Sequence, residues 1–239
     1  MLIPSPLGIC KTLSIDGQDL ANHLSSSKER SFVRTDDEWT ARVNEQLPDS
    51  RLLQRKGRQL GAMHAILRTK GAFQIVRHST DTSTIALQVS RNLCQYYAAE
   101  TQVTSSYEDA LAANGNVISI SIGDNYPSGM DDRYSLQVGR GKGVRIRGGQ
   151  QWRRYVDRGH GLAAIFLRPL PNERLELVVW GCDKESLEVA ARLVPMMTGS
   201  GQPDFVVLDK SMLWKGVSGT LALGFFDSDW EISKRSYFT

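Results

Sequence analysis

Between Arg133 and Arg154 the chain carries Arg133, Arg140, Lys142, Arg145, Arg147, Arg153 and Arg154, with no Asp or Glu among them. Trp152 and Tyr155 lie beside these cations, and Gly139, Gly141 and Gly143 interleave with Arg140 and Lys142. Backbone N–H groups exposed at such glycines form anion-binding nests, and guanidinium forks match phosphate and carboxylate oxygens. The stretch therefore predicts anion or partner binding through Arg140, Lys142, Arg145, Arg147, Arg153 and Arg154. Nucleic acid or another polyanion fits, its backbone tracking the charges and its bases stacking on the aromatic rings. Acidic side chains of a protein partner fit as well. A solvated hairpin whose charges pair with Asp131, Asp132 or Asp157 accounts for the same residues without any ligand.

Other chemistry finds little support. The run Gly139-x-Gly141 does not complete a G-x-G-x-x-G, because position 144 is Val144, and no G-x-x-x-x-G-K-[ST] occurs. Dinucleotide and P-loop sites are thus not expected. His23, His64, His78 and His160 stand apart from one another at no metal-ligand spacing, so no metal or other cofactor is expected. No catalytic residue is assigned. His160, between Gly159 and Gly161, is the residue to replace should an activity be found. Asp124-Asn125 follows an apolar run ending at Ile122, the edge where open α/β sheets take ligands, though a plain turn uses the same residues. Asp204 after Pro203 reads as a cap. Cys10, Cys94 and Cys182 are odd in number and far apart, which predicts reduced, mostly buried thiols rather than disulfides.

The elements that would position the basic stretch follow from hydrophobic period. Tyr134–Val138 and Val144–Arg147 alternate around the glycines and predict a β-hairpin. Upstream, Ala72–Val76 reads as a strand, 82–98 as a helix with Ile85, Val89, Leu93 and Tyr96 on one stripe, and Gln102–Thr104 as a short strand. Ser106–Ala113 reads as a short helix stopped at Asn114-Gly115, and Val117–Ile122 as a buried strand. Downstream, Ala163–Leu167 and Leu175–Trp180 are apolar runs separated by Pro169, Pro171 and Asn172. From Lys184 the period becomes helical, with Asp183 as its cap, and Phe205–Leu208 supplies another strand. Strand, helix and strand within such a span predict a βαβ crossover. The expected class is α/β, a mainly parallel central sheet flanked by helices, with an inserted basic β-hairpin and an N-terminal arm. The domain is placed at 52–239. Residues 1–51 form the arm, partly extended, with one short helix near 37–47 capped by Asp36.

At 239 residues, 41% hydrophobic and 23% charged, the composition is that of an ordinary globular chain. A net charge of +3 is too small to imply a nucleic acid or an anionic membrane by itself. The start, MLIPSPLGICKTLSIDG, lacks a basic region followed by an apolar core, and no apolar run approaches the ~18 residues of a membrane span. The expected location is cytoplasmic, with no membrane partner.

The run WGCDKESLEVAARLVPMMTGSGQPDFVVLD, followed by Trp214-Lys215-Gly216 and ALGFFDSDWE, resembles the C-terminal region of large fungal prolyl-oligopeptidase-like (S9-type) α/β-hydrolase proteins. AILRTKGAFQIV, SRNLCQYYAAET and Val117–Ile122 are similar to the segment before it, so the resemblance covers roughly 52–239. The hydrolase nucleophile sits in a G-x-S-x-G elbow, and none is present: Gly199-Ser200-Gly201 and Val217-Ser218-Gly219 lack the frame. The resemblance thus implies a non-catalytic module. The expectation is a non-enzymatic structural or protein-interaction module in a larger assembly, with a protein partner or a homo-oligomer. The alternatives are a small hydrolase-related enzyme with an unrecognised site, and a polyanion or nucleic-acid binder using the basic hairpin.

Overall fold

The computed structural model describes residues 54–126, 134–139, 141, 143–148, 151–194 and 202–239, together with the backbone of strands at 14–15, 18–19, 30–35 and 38–43. The chain divides into two compact units, Met1–Ser50 and Arg51–Thr239. In the first, β1 (Ser14–Ile15) pairs antiparallel with β2 (Gln18–Asp19), and β3 (Arg30–Thr35) with β4 (Glu38–Val43). The helix expected near 37–47 is therefore replaced by a strand. Trp39 and Val43, spaced four apart, share a helix stripe, but they also share one face of a strand, because four is a multiple of two. Thr35 stands opposite Glu38.

The second unit is built on eight strands. These are β5 (Phe73–Arg77), β6 (Thr101–Thr104), β7 (Val117–Ile122), β11 (Ala163–Leu170), β12 (Arg174–Gly181), β13 (Phe205–Leu208), β14 (Thr220–Gly224) and β15 (Tyr237–Phe238). Their order is β15-β14-β13-β11-β12-β7-β5-β6. A separate three-stranded antiparallel sheet holds β8 (Leu136–Val138), β9 (Gly143–Gly148) and β10 (Gln151–Val156) in the order β10-β9-β8.

The mainly parallel sheet expected from the sequence is corrected to a mixed one. The pairs β12·β7, β7·β5 and β5·β6 are parallel, while β11·β12, β11·β13, β13·β14 and β14·β15 are antiparallel. The decisive connection is the three-residue turn between β11 and β12, where Leu170 pairs with Arg174 and Asn172 and Glu173 take φ of 61° and 60°. A turn that short can return a strand only antiparallel, since a parallel return needs a dozen residues or more. The helix α3 (Lys184–Ala191) does carry the chain from β12 to β13. Its crossover is split, however, because β11 lies between the two strands it joins.

Burial follows the strand alternation. Phe73, Ile75, Ile118 and Ile120 join one core with Ile85, Val89 and Leu93 of α1 (Ser83–Tyr97) and with Leu187, Ala190 and Ala191 of α3. The opposite alternation contributes Val76 and Val117, which cluster with Ala110 of α2 (Tyr107–Ala112). Trp180, Phe73, Phe166 and Phe205 are among the largest fully buried side chains, each worth about 1.5–3 kcal/mol when removed from water. Gly181 permits the tight approach of α3, for a Cβ there would stand 2.4 Å from the Leu187 backbone nitrogen.

Helix ends are satisfied by specific groups. The Ser106 hydroxyl accepts from Asp109 N at the start of α2. At the other end, the Arg174 guanidinium donates to the carbonyls of Ala110, Leu111 and Gly115. The Asp183 carboxylate accepts from Ser186 N at 2.7 Å and caps α3. Burial pushes the Asp183 carboxyl up, but the Ser186 bonds and the Lys210 ammonium outweigh it, and the net displacement is downward. Asp183→Ala is expected to cost about 1 kcal/mol near neutral pH. A carboxyl held below its unfolded value stabilises fully above that value and loses the effect as acid protonates it in the fold. The urea midpoints of the parent and variant should therefore converge below the ordinary carboxylate range.

Candidate interaction surface

The basic stretch forms the three-stranded sheet. Leu136, Gln137 and Val138 pair with Ile146, Arg145 and Val144, and β10 then pairs along the other side of β9. This last strand was not legible as such, because its sequence, QWRRYV, has no apolar alternation. Trp152 stands opposite Arg147, Arg154 opposite Arg145, and Val156 opposite Gly143. By alternation, Arg145, Arg147, Trp152 and Arg154 share one face, while Val144 and Ile146 turn the other way into the core.

On that face the Arg145 guanidinium lies 4.5 Å from the Trp152 ring centre, and that of Arg147 lies 5.7 Å away. Arg147 also pairs with Glu231 at 2.7 Å. Among the described residues neither Arg145 nor Arg154 has an ion pair. Arg153 points elsewhere, its guanidinium 4.7 Å from the Phe238 ring centre. The structure thus gathers Arg145, Arg147 and Arg154 and sets Arg153 apart. Arg140 and Lys142 lie outside the described residues, as does Arg133. The indole, expected as a platform for bases, already holds guanidinium groups against it. Its role on this face is to orient Arg145 through a cation–π contact.

Three polar clusters escaped the sequence reading, since each joins residues far apart in the chain. Glu176 is fully buried and accepts from Ser119 Oγ at 2.5 Å, Tyr107 OH at 2.8 Å and Arg168 Nε at 2.7 Å. Burial, reinforced by the Glu176 charge, pushes the Tyr107 phenol far up. His78 packs its ring 5.7 Å from that of Tyr107, and burial pulls its imidazole down, with Arg168 adding to the effect and Glu176 opposing it. This cluster ties β7, β11, β12 and α2 together. Asp204, buried, pairs with Arg55 at 2.8 Å and accepts from Phe226 N, so it is an internal clamp rather than a local cap.

The third cluster brings Asp157, Cys182 and Asp183 within 4.8 Å of one another. Asp157 Oδ1 accepts from Gly159 N and Gly161 N, and Leu162 N donates to the Cys182 sulfur. Burial pushes the Cys182 thiol up, which holds it protonated and unreactive. Lys210 pairs with Asp183 at 3.5 Å and with Glu185 at 2.6 Å. Cys94 is exposed, against the expectation of buried thiols, and Cys10 lies outside the described residues. Asp124 is exposed at a tight turn, in which Asn125 N donates to Ile122 O. His160 is exposed, and its carbonyl accepts from Lys210 N. A depression of about 940 Å³ lies along α1 and β6, and none of its lining residues belongs to these clusters.

No family model matches the chain. It is 42% identical over 192 residues to an uncharacterized secreted protein of Arthroderma benhamiae, an alignment covering 77% of this chain and 20% of that protein. The chain therefore spans about one fifth of the length of the relative it matches. The cytoplasmic location expected from the amino-terminal residues is corrected by this finding, since the relative is described as secreted.

Proposed function

We propose that the chain is a non-enzymatic interaction module of a larger exported protein or assembly, and that it engages an acidic partner through the face bearing Arg145, Trp152 and Arg154. The observation that carries this reading is the placement of Arg154 directly opposite Arg145. Like charges in that position destabilise a strand pair, and no carboxylate among the described residues pairs with either. A local rule broken with no carboxylate among the described residues to offset it supports a surface shaped by a partner. The resemblance to a hydrolase-associated C-terminal region enters only as a suggestion of origin. Export comes from the description of the fungal relative.

Retention on immobilised heparin tests the reading. The chain is expected to bind at low salt and to elute as ionic strength shortens the reach of the charges, to roughly 8 Å at 0.15 M. Arg145→Glu with Arg154→Glu should abolish retention while leaving circular dichroism and the urea midpoint near those of the parent. Equal retention of the double variant would remove this face from the reading.

A further inference from the structure

β10 is an edge strand. Among the described residues it pairs only with β9, and its second row of backbone N–H and C=O groups faces away from the sheet. Such an edge is a template for another strand. Here the template sits beside Arg154 and Arg145, which have no ion pair among the described residues. A strand laid along β10 would place alternate side chains on the face that carries Trp152 and Arg154, about 4.5–5.5 Å from their opposite numbers. Successive side chains on that face repeat every ~6.6 Å, the spacing that also separates Arg145 from Arg147. Carboxylates at alternate positions of an extended peptide would therefore meet Arg154 directly, with Arg145 one strand further on, about 9.6 Å across the sheet and within reach of long side chains. Their attraction to the guanidinium groups would offset the repulsion between the two arginines.

Resting on the interaction-module reading, we propose that the β10 edge of Gln151–Val156 takes up an extended acidic peptide by strand addition. Backbone hydrogen bonds to the outer edge of β10 supply pairing, and Asp or Glu at every second position supplies recognition by Arg154 and Arg145. Val156, 40% exposed at the end of the same face, favours an apolar residue where the acidic alternation stops. A polyanion without peptide groups satisfies only the charge. Trp152, with the Arg145 and Arg147 guanidinium groups against its ring, reports occupancy through its fluorescence.

The experiment measures anisotropy of a labelled peptide that alternates Glu with Thr and ends in Val. Three comparisons accompany it: the same peptide N-methylated at alternate residues, heparin, and the variants Arg145→Gln, Arg154→Gln and Arg154→Glu. The expected result is saturable peptide binding, weakened about tenfold or more by N-methylation and by each arginine substitution. Unchanged binding of the N-methylated peptide overturns strand addition. Binding of heparin with none of the peptide also overturns it, while the interaction-module reading stands. Failure of both heparin and peptide to bind overturns the two together. The glutamine variants guard against misfolding, as they remove charge without introducing an opposite one.

Discussion

Glu176→Ala is expected to lower the stability of the second unit by about 3–5 kcal/mol, the range for breaking one side of a buried ion pair. Glu176 is fully buried and Arg168 only 3% exposed, so the substitution leaves a guanidinium in the interior without its counter-ion. It also strands the Ser119 and Tyr107 hydroxyls, both of which donate to the same carboxylate. Urea denaturation followed by far-ultraviolet circular dichroism reads the loss as a lower midpoint at similar slope. A change below about 1 kcal/mol would show that water replaces the carboxylate and that the cluster is not closed. The double replacement Arg168→Met, Glu176→Leu should recover much of the loss, because removing both charges relieves the desolvation cost that removing one exposes. Tyr107 ties the consequence to α2, whose other end is held by Arg174. Amide exchange in α2 should rise first.

Asp204→Ala is expected to cost about 3 kcal/mol or more by the same mechanism on the other side of β11, where Leu167 N donates to the Asp204 carbonyl. Asp204 is 1% exposed. One carboxylate oxygen meets Arg55 at 2.8 Å and the other accepts from Phe226 N at 2.8 Å. Arg55 is further placed 4.3 Å from the Trp230 ring centre, and its own N–H donates to the Ser228 carbonyl. The carboxylate thus joins the segment before β5 to the carboxyl-terminal segment after β14. Its removal should lower the urea midpoint and also open the chain near Arg55 to limited proteolysis. An intact Arg55 region in a destabilised variant would mean that the Trp230 contact and the Ser228 bond suffice to hold it. Arg55→Met keeps apolar contact with Trp230 while removing the charge, and should cost less than an Arg55→Ala change.

These substitutions separate scaffold from surface. Glu176→Ala and Asp204→Ala should lower stability while leaving the affinity of the folded fraction for a polyanion unchanged. Arg145→Glu and Arg154→Glu should do the reverse, since both side chains lie on the outer face of β9 and β10, outside the core.

How much of this was legible in the sequence depends on the range of the interaction. Period alone marks the helix over Ser83–Tyr97, because Ile85, Val89 and Leu93 recur on one face. It marks β7 as buried as well, because VISISI has no charged position. The alternation around Gly139–Gly143 marks β8 and β9, and the Arg-rich composition marks their region as a binding candidate. These are local properties, set by neighbours within one or two turns of chain. Strand direction is different. Ala163–Leu170 and Arg174–Gly181 look the same to a period count whether parallel or antiparallel, and only the short return at Pro171–Glu173, together with the insertion of β11 between β12 and β13, makes the sheet mixed. The meetings of Glu176 with Ser119 and Tyr107, of Arg55 with Asp204, and of Arg154 with Arg145 depend on register. Register is a cooperative property of the packed sheet, since a slip of one residue would turn every side chain of a strand to its other face. Residue types therefore announced that the hairpin was basic, and tertiary pairing decided which arginines stand together, which ring holds them, and which strand lies at the edge of the sheet among the described residues.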